Sequence, residues 1–329
     1  IPSLGIDASA GLLPTDYAAD TGKPTLVFAA LNLTSETLVL SFVEPVLADQ
    51  VDVAQVAVHN GLGSAMHAFS AAPGGTTVQQ ESTPVTAIRR SQVTLQIGKQ
   101  DLTAIQLALD LASSAASSFI ALGPAAAKDH SGNTNVPLPT AAAFSVGTFA
   151  ADANRPHIVL SVLDLNNNLL HLSFDEPVLA SSVNVTDVVL TQTQGAEGTP
   201  AALRLNSSSS VLLSPAAIGI GPTTLNLTVA LGIEDVNAIK LAFDFAPTSA
   251  DLENQLATVT NNTAVQLTPA FVKDAANNSL VGVHGNLNAY VPDTTPPVLQ
   301  VADLSLNGTG SLRLVFDEPV LVQELQQSS

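Results

Sequence analysis

The chain has 329 residues, of which 46% are apolar and 12% are charged. Ten Lys and Arg stand against 28 Asp and Glu, giving a formal net charge of −18, and Arg89–Arg90 is the only adjacent basic pair. Phosphate binding needs clustered cations, so this balance excludes nucleic acid as a partner. The absence of Cys excludes disulfides, thiolate metal sites and thiol nucleophiles.

The length predicts two or three domains, and the apolar content predicts that they fold rather than form a disordered chain. The best candidate for a membrane span, the uncharged stretch 111–127, contains several Ser residues and Pro124, so it is too short and too polar to span a bilayer. We therefore expect no membrane insertion in this chain. It begins at Ile1 with neither Met nor a basic and apolar leader, which predicts a processed or excised segment.

One nine-residue sequence occurs three times, at residues 38–46, 170–178 and 312–320. All three copies share the pattern Leu-x-Leu-x-Phe-x-Glu-Pro-Val, and their Phe residues lie 132 and 142 residues apart. Each copy follows an Asp and a Pro at matched offsets, beginning with Asp20 and Pro24 in the first. The chain is therefore predicted to be a tandem repeat.

The repeat predicts four segments. Residues 21–153 and 154–294 form two complete repeats, residues 1–20 match the end of a preceding repeat, and residues 295–329 match the opening strands of a further one. Two or three strands cannot bury a core of their own. We therefore expect either a longer array or partner chains that complete the partial repeats with donated strands.

Within each repeat, apolar residues alternate with polar ones, which is the period of a half-buried strand. This pattern covers residues 38–42, 107–111 and 239–245, and Pro45, Pro177 and Pro319 are each expected to end a strand. Helical patterns are scarce, with one or two turns expected in residues 113–122 and 249–258. The predicted fold is all-β, a tandem array of immunoglobulin-like antiparallel β-sandwiches.

The Asp-Thr-Thr-Pro-Pro opening at 293–297, the Leu-x-Leu-x-Phe-Asp-Glu-Pro-Val strand and the late Lys-Asp turn carry a resemblance to a protein class. They resemble the tandem Ig-like repeats of large cell-surface proteins, including bacterial adhesin-type repeats. Similar repeats occur in algal and protist extracellular filament proteins such as mastigoneme shaft proteins. The resemblance implies an extracellular or cell-surface location and a fold, but no particular activity.

Seven Asn-x-Ser/Thr sequons predict N-glycosylation, about twice the number expected by chance from this composition. Accidental triplets in an Asn- and Thr-rich β-protein are the alternative interpretation. The seven candidate residues are Asn32, Asn184, Asn206, Asn226, Asn261, Asn277 and Asn307.

Carboxylates recur near the predicted repeat boundaries and are candidates for calcium ligands, since calcium prefers several hard oxygen ligands. The candidate residues are Asp152, Glu176, Asp293 and Glu318. Their spacing matches no EF-hand, so capping of turns by Asp and ending of strands by Glu-Pro is the alternative. Asp129 and Asp274 begin polar turns and are expected to close Asx-turns rather than bind metal.

No catalytic arrangement appears in the sequence. The six His residues form no zinc-type pair, no Gly-x-Ser-x-Gly elbow or phosphate-binding loop is present, and the acidic residues recur with the repeat. Without Trp, a dedicated carbohydrate-binding surface is also a poor fit. We predict that the chain is not an enzyme and has no cofactor, with calcium as the one candidate.

The sequence predicts a structural extracellular protein, a spacer or filament-shaft segment whose partners are copies of itself, other filament subunits and glycans. The alternative is an adhesin segment that binds a cell-surface or carbohydrate ligand through loops at a sandwich end. A shaft keeps its repeats alike, whereas an adhesin specialises one of them. Residues 192–215 and 249–265, where the longer repeat carries its extra length, would then be the binding loops.

Overall fold

The computed structural model describes residues 16–61, 65–79, 89–192, 202–212, 223–241, 263–308 and 310–320. The chain forms two compact units. The first consists of Ile1–Asp101 and Ser114–Ala150, and the second consists of Leu102–Ser113 and Ala151–Ser329. The repeat boundaries inferred from the sequence, 21–153 and 154–294, stay a prediction.

The first unit is built from short, mostly antiparallel strands in two sheets. One sheet has the order β5-β6-β2-β1-β9, and the other has the order β4-β3-β7-β8. Its described strands are β1 (Leu26–Asn32), β2 (Thr37–Leu47), β3 (Val56–His59), β4 (Met66–Ala68), β5 (Thr77–Val78), β6 (Arg89–Gln96), β7 (Phe119–Leu122), β8 (Phe144–Ser145) and β9 (Thr148–Ala150).

The second unit repeats this arrangement. Its five-stranded sheet has the order β14-β15-β11-β10-β18, and its four-stranded sheet has the order β13-β12-β16-β17. The described strands are β10 (Ile158–Asp164), β11 (Leu169–Leu179), β12 (Val188–Gln192), β13 (Ala202–Arg204), β14 (Ser210–Leu212), β15 (Thr223–Ala230), β16 (Thr263–Leu267), β17 (Val283–Asn286) and β18 (Ala289–Val291).

A final hairpin of β19 (Leu299–Ser305) and β20 (Ser311–Phe316) follows in the second unit. Its pairing repeats that of β1 with β2 and of β10 with β11, including a bulge at the same place near the start of the first strand. Gly308 has a positive φ of 69° in its turn, a conformation that suits Gly. The third copy of the repeated sequence therefore pairs in the same register as the first two, across a turn that is one residue longer.

The core of the second unit lies between its two sheets. Leu170 and Leu172 from the five-stranded sheet and Leu190 and Val265 from the four-stranded sheet belong to one buried cluster. Alternate residues of β11 supply it, because a strand turns every second side chain to the same face. The all-β, Ig-like sandwich fold predicted from the sequence is confirmed.

Two of the predicted strands are not strands. Helix α1 (Lys99–Leu107) ends at the first residue of the 107–111 pattern, whose remaining residues form a turn. Helix α2 (Ile233–Leu241) covers 239–241, and 242–245 lies outside the described residues. In α2 the buried Val236 and Ile239 lie three residues apart, which is one face of a helix. Of the two predicted helical segments, Ala115–Ser117 forms a single 3₁₀ turn before β7, and 249–258 lies outside the described residues.

The prediction that proline ends the repeated strand is wrong for the first two copies. Strands β2 and β11 continue through Pro45 and Pro177 to residues 47 and 179. Their pairing with β6 and β15 is interrupted between Ser41 and Val46 and between Ser173 and Val178. The prolines lie in these interruptions, where no ladder N–H is required. In the third copy, β20 ends at Phe316, before Pro319.

The two α-helices of the described part of the chain have nine residues each. Neither these helices nor any other described helix is long and apolar enough to cross a bilayer.

Candidate functional site

Each of the two compact units brings three carboxylates together. In the first unit they come from Asp20 before β1, from Glu44 in β2 and from Asp129 in a turn after β7. In the second unit they come from Asp152, Glu176 and Asp274. Within each cluster one oxygen from each residue lies within 4.8 Å of the others.

The turn that begins at the third carboxylate is built in the same way in both repeats. Asp129 Oδ1 accepts a bond from the Asn133 backbone N–H at 2.7 Å, and Oδ2 accepts one from the Asn133 side chain at 2.8 Å. The same amide group also donates to the Asp20 carbonyl at 3.1 Å. This single Asn therefore ties the turn to the residue that opens the repeat.

In the second repeat, Asn278 makes the corresponding bonds to Asp274 and donates to the Asp152 carbonyl at 3.0 Å. The prediction that Asp129 and Asp274 accept backbone N–H bonds in their turns agrees with this geometry. The sequence did not indicate that the turn returns to the opening Asp, which is more than 100 residues away along the chain.

The two clusters differ in burial. Asp152, Glu176 and Asp274 are 8%, 4% and 3% exposed, whereas Asp20 is exposed and Glu44 is partly exposed. Burial raises the pKa of Asp274, and repulsion from Asp152 raises it further against the bonds from Asn278. Desolvation, followed by repulsion from Asp20 and Asp129, raises the pKa of Glu44. In both clusters, therefore, desolvation and mutual repulsion make the ionised carboxylates less stable than they would be in water.

A neutral amide approaches the second cluster. The Gln106 side chain, in the last turn of α1, donates to Asp152 Oδ2 at 2.6 Å and to Glu176 Oε2 at 3.2 Å. Gln106 belongs to the stretch Leu102–Ser113, so this contact lies within the second compact unit. The amide supplies hydrogen bonds to the two carboxylates but no positive charge.

A cation occupies the corresponding place at the third copy. Lys240, in the last turn of α2, stands where α1 carries Gln106, and its ammonium group contacts Asp293 at 2.5 Å and also Glu318. Burial alone would lower the pKa of Lys240, but its bonds to Asp293 and Glu318 outweigh this effect and raise it. The pKa of Asp293 is lowered, because the bonds from Lys240 and Thr295 outweigh its desolvation.

The four residues proposed as calcium ligands thus separate into two pairs. Asp152 and Glu176 join Asp274 in a compact set of carboxylates of the kind that could hold a calcium ion. Asp293 and Glu318 instead surround the Lys240 ammonium group, which supplies the positive charge itself.

Sequence reasoning missed Asp20, Glu44, Asp129 and Asp274 as members of the clusters. The usable signal was the repeat itself, because each of these residues stands at the position of its counterpart in the other copy.

Among the described residues, the sequon residues Asn32 and Asn226 lie in strands and the other four lie in turns or loops. Asn184, Asn226, Asn277 and Asn307 are exposed, and Asn32 and Asn206 are partly buried. A glycan would attach to the Nδ2 atom of the Asn side chain. In Asn184 this atom donates a hydrogen bond to Asp187, and in Asn206 it donates one to Glu234. Asn261 lies outside the described residues.

A buried carboxylate begins each α-helix region. Asp101 is 1% exposed and accepts bonds from Thr76 and from the Ser70 backbone, with His67 Nε2 at 2.8 Å. These bonds hold its pKa below the ordinary value although burial raises it. In the second repeat, Asp235 accepts corresponding bonds from Asn206 N–H and Ser209. The recurrence without the His indicates a role in holding a loop against the helix.

No protein-family model matches the chain, and no curated protein matches it. Among solved structures, it is similar to the N-terminal part of the bacterial S-layer protein SbsC, with 15% identity and a TM-score of 0.25. That match covers 47% of this chain, and the chain spans 27% of the S-layer chain. A marsupial T cell receptor matches with 9% identity and a TM-score of 0.16 over 85% of this chain and 78% of the receptor. Likenesses this distant do not bear on function.

Proposed function

We propose that this chain is a segment of an extracellular structural protein, a spacer or filament shaft built from Ig-like sandwiches. The observation that carries the proposal is that the repeats are alike in structural detail. The opening hairpin has the same register and bulge three times, and the Asx-turn that returns to the opening Asp occurs twice. Uniform repeats suit a load-bearing shaft, whose length matters more than any single surface.

The same observation weighs against an adhesin in which one repeat is specialised. An adhesin concentrates its ligand site in one loop cluster, and here the acidic clusters and the buried helix-start carboxylates recur in both complete repeats. Most of residues 192–215 and 249–265 lies outside the described residues. The adhesin therefore stays the alternative, with no described feature in its favour.

Glycosylation fits this role. The exposed Asn226 lies on β15, so a glycan there would cover the surface of that sheet. The exposed Asn307 lies in the β19–β20 turn, which a second glycan would cover. Bulky sugars would increase solubility and block association of sheet edges. We expect the intact mass of the native protein to fall after treatment with an N-glycosidase. An unchanged mass would show that the sequons are not used.

The cellular location of the protein tests the proposal that it is an extracellular structural protein. Antibodies raised against the 329-residue chain should label intact cells of the source organism on their outer surface or on extracellular filaments. Labelling that appears only after the cells are permeabilised would contradict an extracellular shaft.

A further inference from the structure

A histidine of the first unit is buried, and one of its ring nitrogens lacks a partner. His59 ends β3, is 2% exposed and stacks on Phe119 of β7, with the ring centroids 5.6 Å apart. Its Nδ1 atom accepts a hydrogen bond from the Gly61 N–H at 2.9 Å. Its Nε2 atom is shielded from solvent and has no hydrogen-bond partner among the residues that the structure describes.

The bond from Gly61 requires a neutral ring. A ring nitrogen that accepts a hydrogen bond carries no proton, so the single ring proton of His59 lies on Nε2. A second proton would add at Nδ1 and place an N–H group against the Gly61 N–H. The bond would be lost, and a buried cation would remain with two N–H groups that lack acceptors. Both changes are costly away from water.

The backbone after β3 has little freedom to adjust to a protonated ring. Gly61 has a positive φ of 77°, and a Cβ atom added to it would lie 2.5 Å from a carbon of the Phe119 ring. The Asn60 N–H donates to the Ala65 carbonyl at 3.1 Å. The Gly61 N–H is therefore held toward Nδ1, and a protonated ring would have to leave its place together with the end of β3.

No charged side chain of the neighbouring described strands stands opposite His59. Its partners across the sheet are Met66 on β4 and Phe119 on β7, and Ser145 on β8 lies opposite Phe119. Residues 62–64 of the sequence are Leu, Gly and Ser, none of which titrates near neutral pH. A proton on His59 would thus gain no counter-charge from this side of the sheet.

The titratable side chain of β4 is His67, which lies on the other face of the sheet. It is opposite Val58 rather than His59, and its Nε2 atom lies 2.8 Å from the buried Asp101 carboxylate. Burial lowers the pKa of His59, and no carboxylate of the described residues offsets this effect.

The second unit has a different residue at this position. Strand β12 pairs with β16 as β3 pairs with β7, and this alignment places Thr191 where the first unit has His59. Thr191 is partly exposed, and its hydroxyl lies 3.1 Å from Nε2 of the exposed His284. A proton on His284 is therefore solvated, whereas a proton on His59 is not.

We propose that His59 makes the four-stranded sheet of the first unit open in mild acid. While the ring is neutral, the bond from Gly61 and the stacking on Phe119 hold the end of β3 in place. When a proton adds at Nδ1, β3 and β7 separate locally and the ring reaches water, whereas the sheet that contains Thr191 stays closed. This response belongs to the first unit and does not depend on the proposed shaft function.

The direction of the effect follows from the lowered pKa of His59. The open form, with the ordinary pKa of 6.5, binds the proton more tightly than the folded form. The contribution of His59 to stability is therefore present above pH 6.5 and is lost as the pH falls from 6.5 toward the lowered value.

Hydrogen exchange of the unmodified chain at pH 7.5 and pH 5.0 measures this opening, once each rate is corrected for the intrinsic effect of pH. Protection of the β3 and β7 amides should fall about tenfold, because an accessible His of ordinary pKa is almost fully protonated at pH 5.0. Protection of the β12 and β16 amides should change less than about twofold, since their sheet holds Thr191 at this position.

Two variants install residues of the second unit in the first. His59→Thr should remove the tenfold response. His67→Leu, which takes the residue that β13 carries at the matching position, should keep it, because His67 lies on the other face. Unchanged protection of β3, an equal fall in both units, or a response that His67→Leu removes would overturn the proposal.

An NMR titration of the His59 ring in the unmodified chain makes a test that needs no variant to fold. The ring should stay neutral at pH 6.5 while β3 is protected. Uptake of a proton at or above pH 6.5 with β3 still protected would equally overturn the proposal.

Discussion

The second and third copies of the repeated strand share a register but differ in their surroundings. Leu170 is fully buried in the second copy, whereas Leu312 at the same position is 62% exposed in the third. Both hairpins nevertheless pair residue for residue in the same way. Register therefore follows the strand sequences, whereas burial depends on the strands that complete the sandwich.

The two copies also stabilise their opening carboxylates through different groups. The last turn of α1 offers the Gln106 amide to Asp152 and Glu176, and the last turn of α2 offers the Lys240 ammonium group to Asp293 and Glu318. The same position in the repeat thus holds either a hydrogen-bond donor or a fixed cation. The contrast indicates that this position adjusts the charge of the acidic site without changing the fold.

The largest effect is expected in the core. Leu170→Ala should lower the free energy of unfolding by about 2–5 kcal/mol, because it leaves a cavity in the packed sandwich. Leu312→Ala, at the matching position, should change it by no more than about 0.5 kcal/mol. Urea unfolding of both variants at low protein concentration makes the measurement. Equal losses would mean that the third hairpin is as fully covered as the second.

The next effect concerns Lys240, whose ammonium group and two carboxylate partners are each less than 20% exposed. Lys240→Met leaves two neighbouring carboxylates without a cation and should cost about 2 kcal/mol, somewhat less than the loss of a fully buried pair. Faster hydrogen exchange of β20 amides would report the loss.

The matched control is Lys240→Gln, which installs the residue that α1 uses. Because an amide can reach both carboxylates, exchange in β20 should rise less than in Lys240→Met. If the two variants behave alike, the positive charge of Lys240 is not what holds the hairpin.

Calcium is expected to act on the carboxylates of the second copy but not on those of the third, where Lys240 already supplies a positive charge. Saturating calcium is expected to stabilise the second unit by about 1–3 kcal/mol through the carboxylates of Asp152, Glu176 and Asp274. Thermal melts with calcium and with a chelator make the comparison. Gln106→Lys is the matched variant, since it places a tethered cation where Lys240 has one, and the melt of its second unit should not respond to calcium. Identical melts of the unmodified chain in both conditions would exclude calcium from the cluster.

The smallest expected effect is the dependence on pH, and it has opposite signs in the two copies. Asp274 has a raised pKa, so the folded protein holds its proton more tightly than the unfolded chain does. Its contribution to stability is present at low pH and is lost as the pH rises from the ordinary value of 3.8 through the raised one.

Asp293 has a lowered pKa, so its contribution is present above the ordinary value of 3.8 and is lost as the pH falls below it. Lys240, with its raised pKa, stabilises below 10.5 and loses this effect as the pH rises further. Hydrogen exchange of β11 and β20 measured across this range should therefore shift in opposite directions under acid. A common shift would contradict the assigned charge environments.

The strands were predictable because alternation of apolar residues is a local pattern, and the repeat showed which hairpins must be equivalent. The α2 helix was not, because Ile239 and Leu241 fit a strand as well as a helix over so short a segment. Pro177 was misjudged because its effect depends on whether the partner strand needs an N–H at that point.

The site was predictable only in part. Asp152 and Glu176 stand close to each other in sequence and were identified, but Asp274 reaches them through a turn more than 90 residues further along. Such a contact depends on the packing of the whole sandwich. The role of Gln106 was equally hidden, because nothing local to α1 indicates which carboxylates its last turn will meet.

The most direct test of the shaft proposal is electron microscopy of the native material with the chain located by antibody. We predict that the chain lies along a filament with an axial period of one or two sandwiches, each about 35–40 Å long given strands of up to 11 residues. Native protein that is a monodisperse monomer, with no labelled filament, would contradict the account.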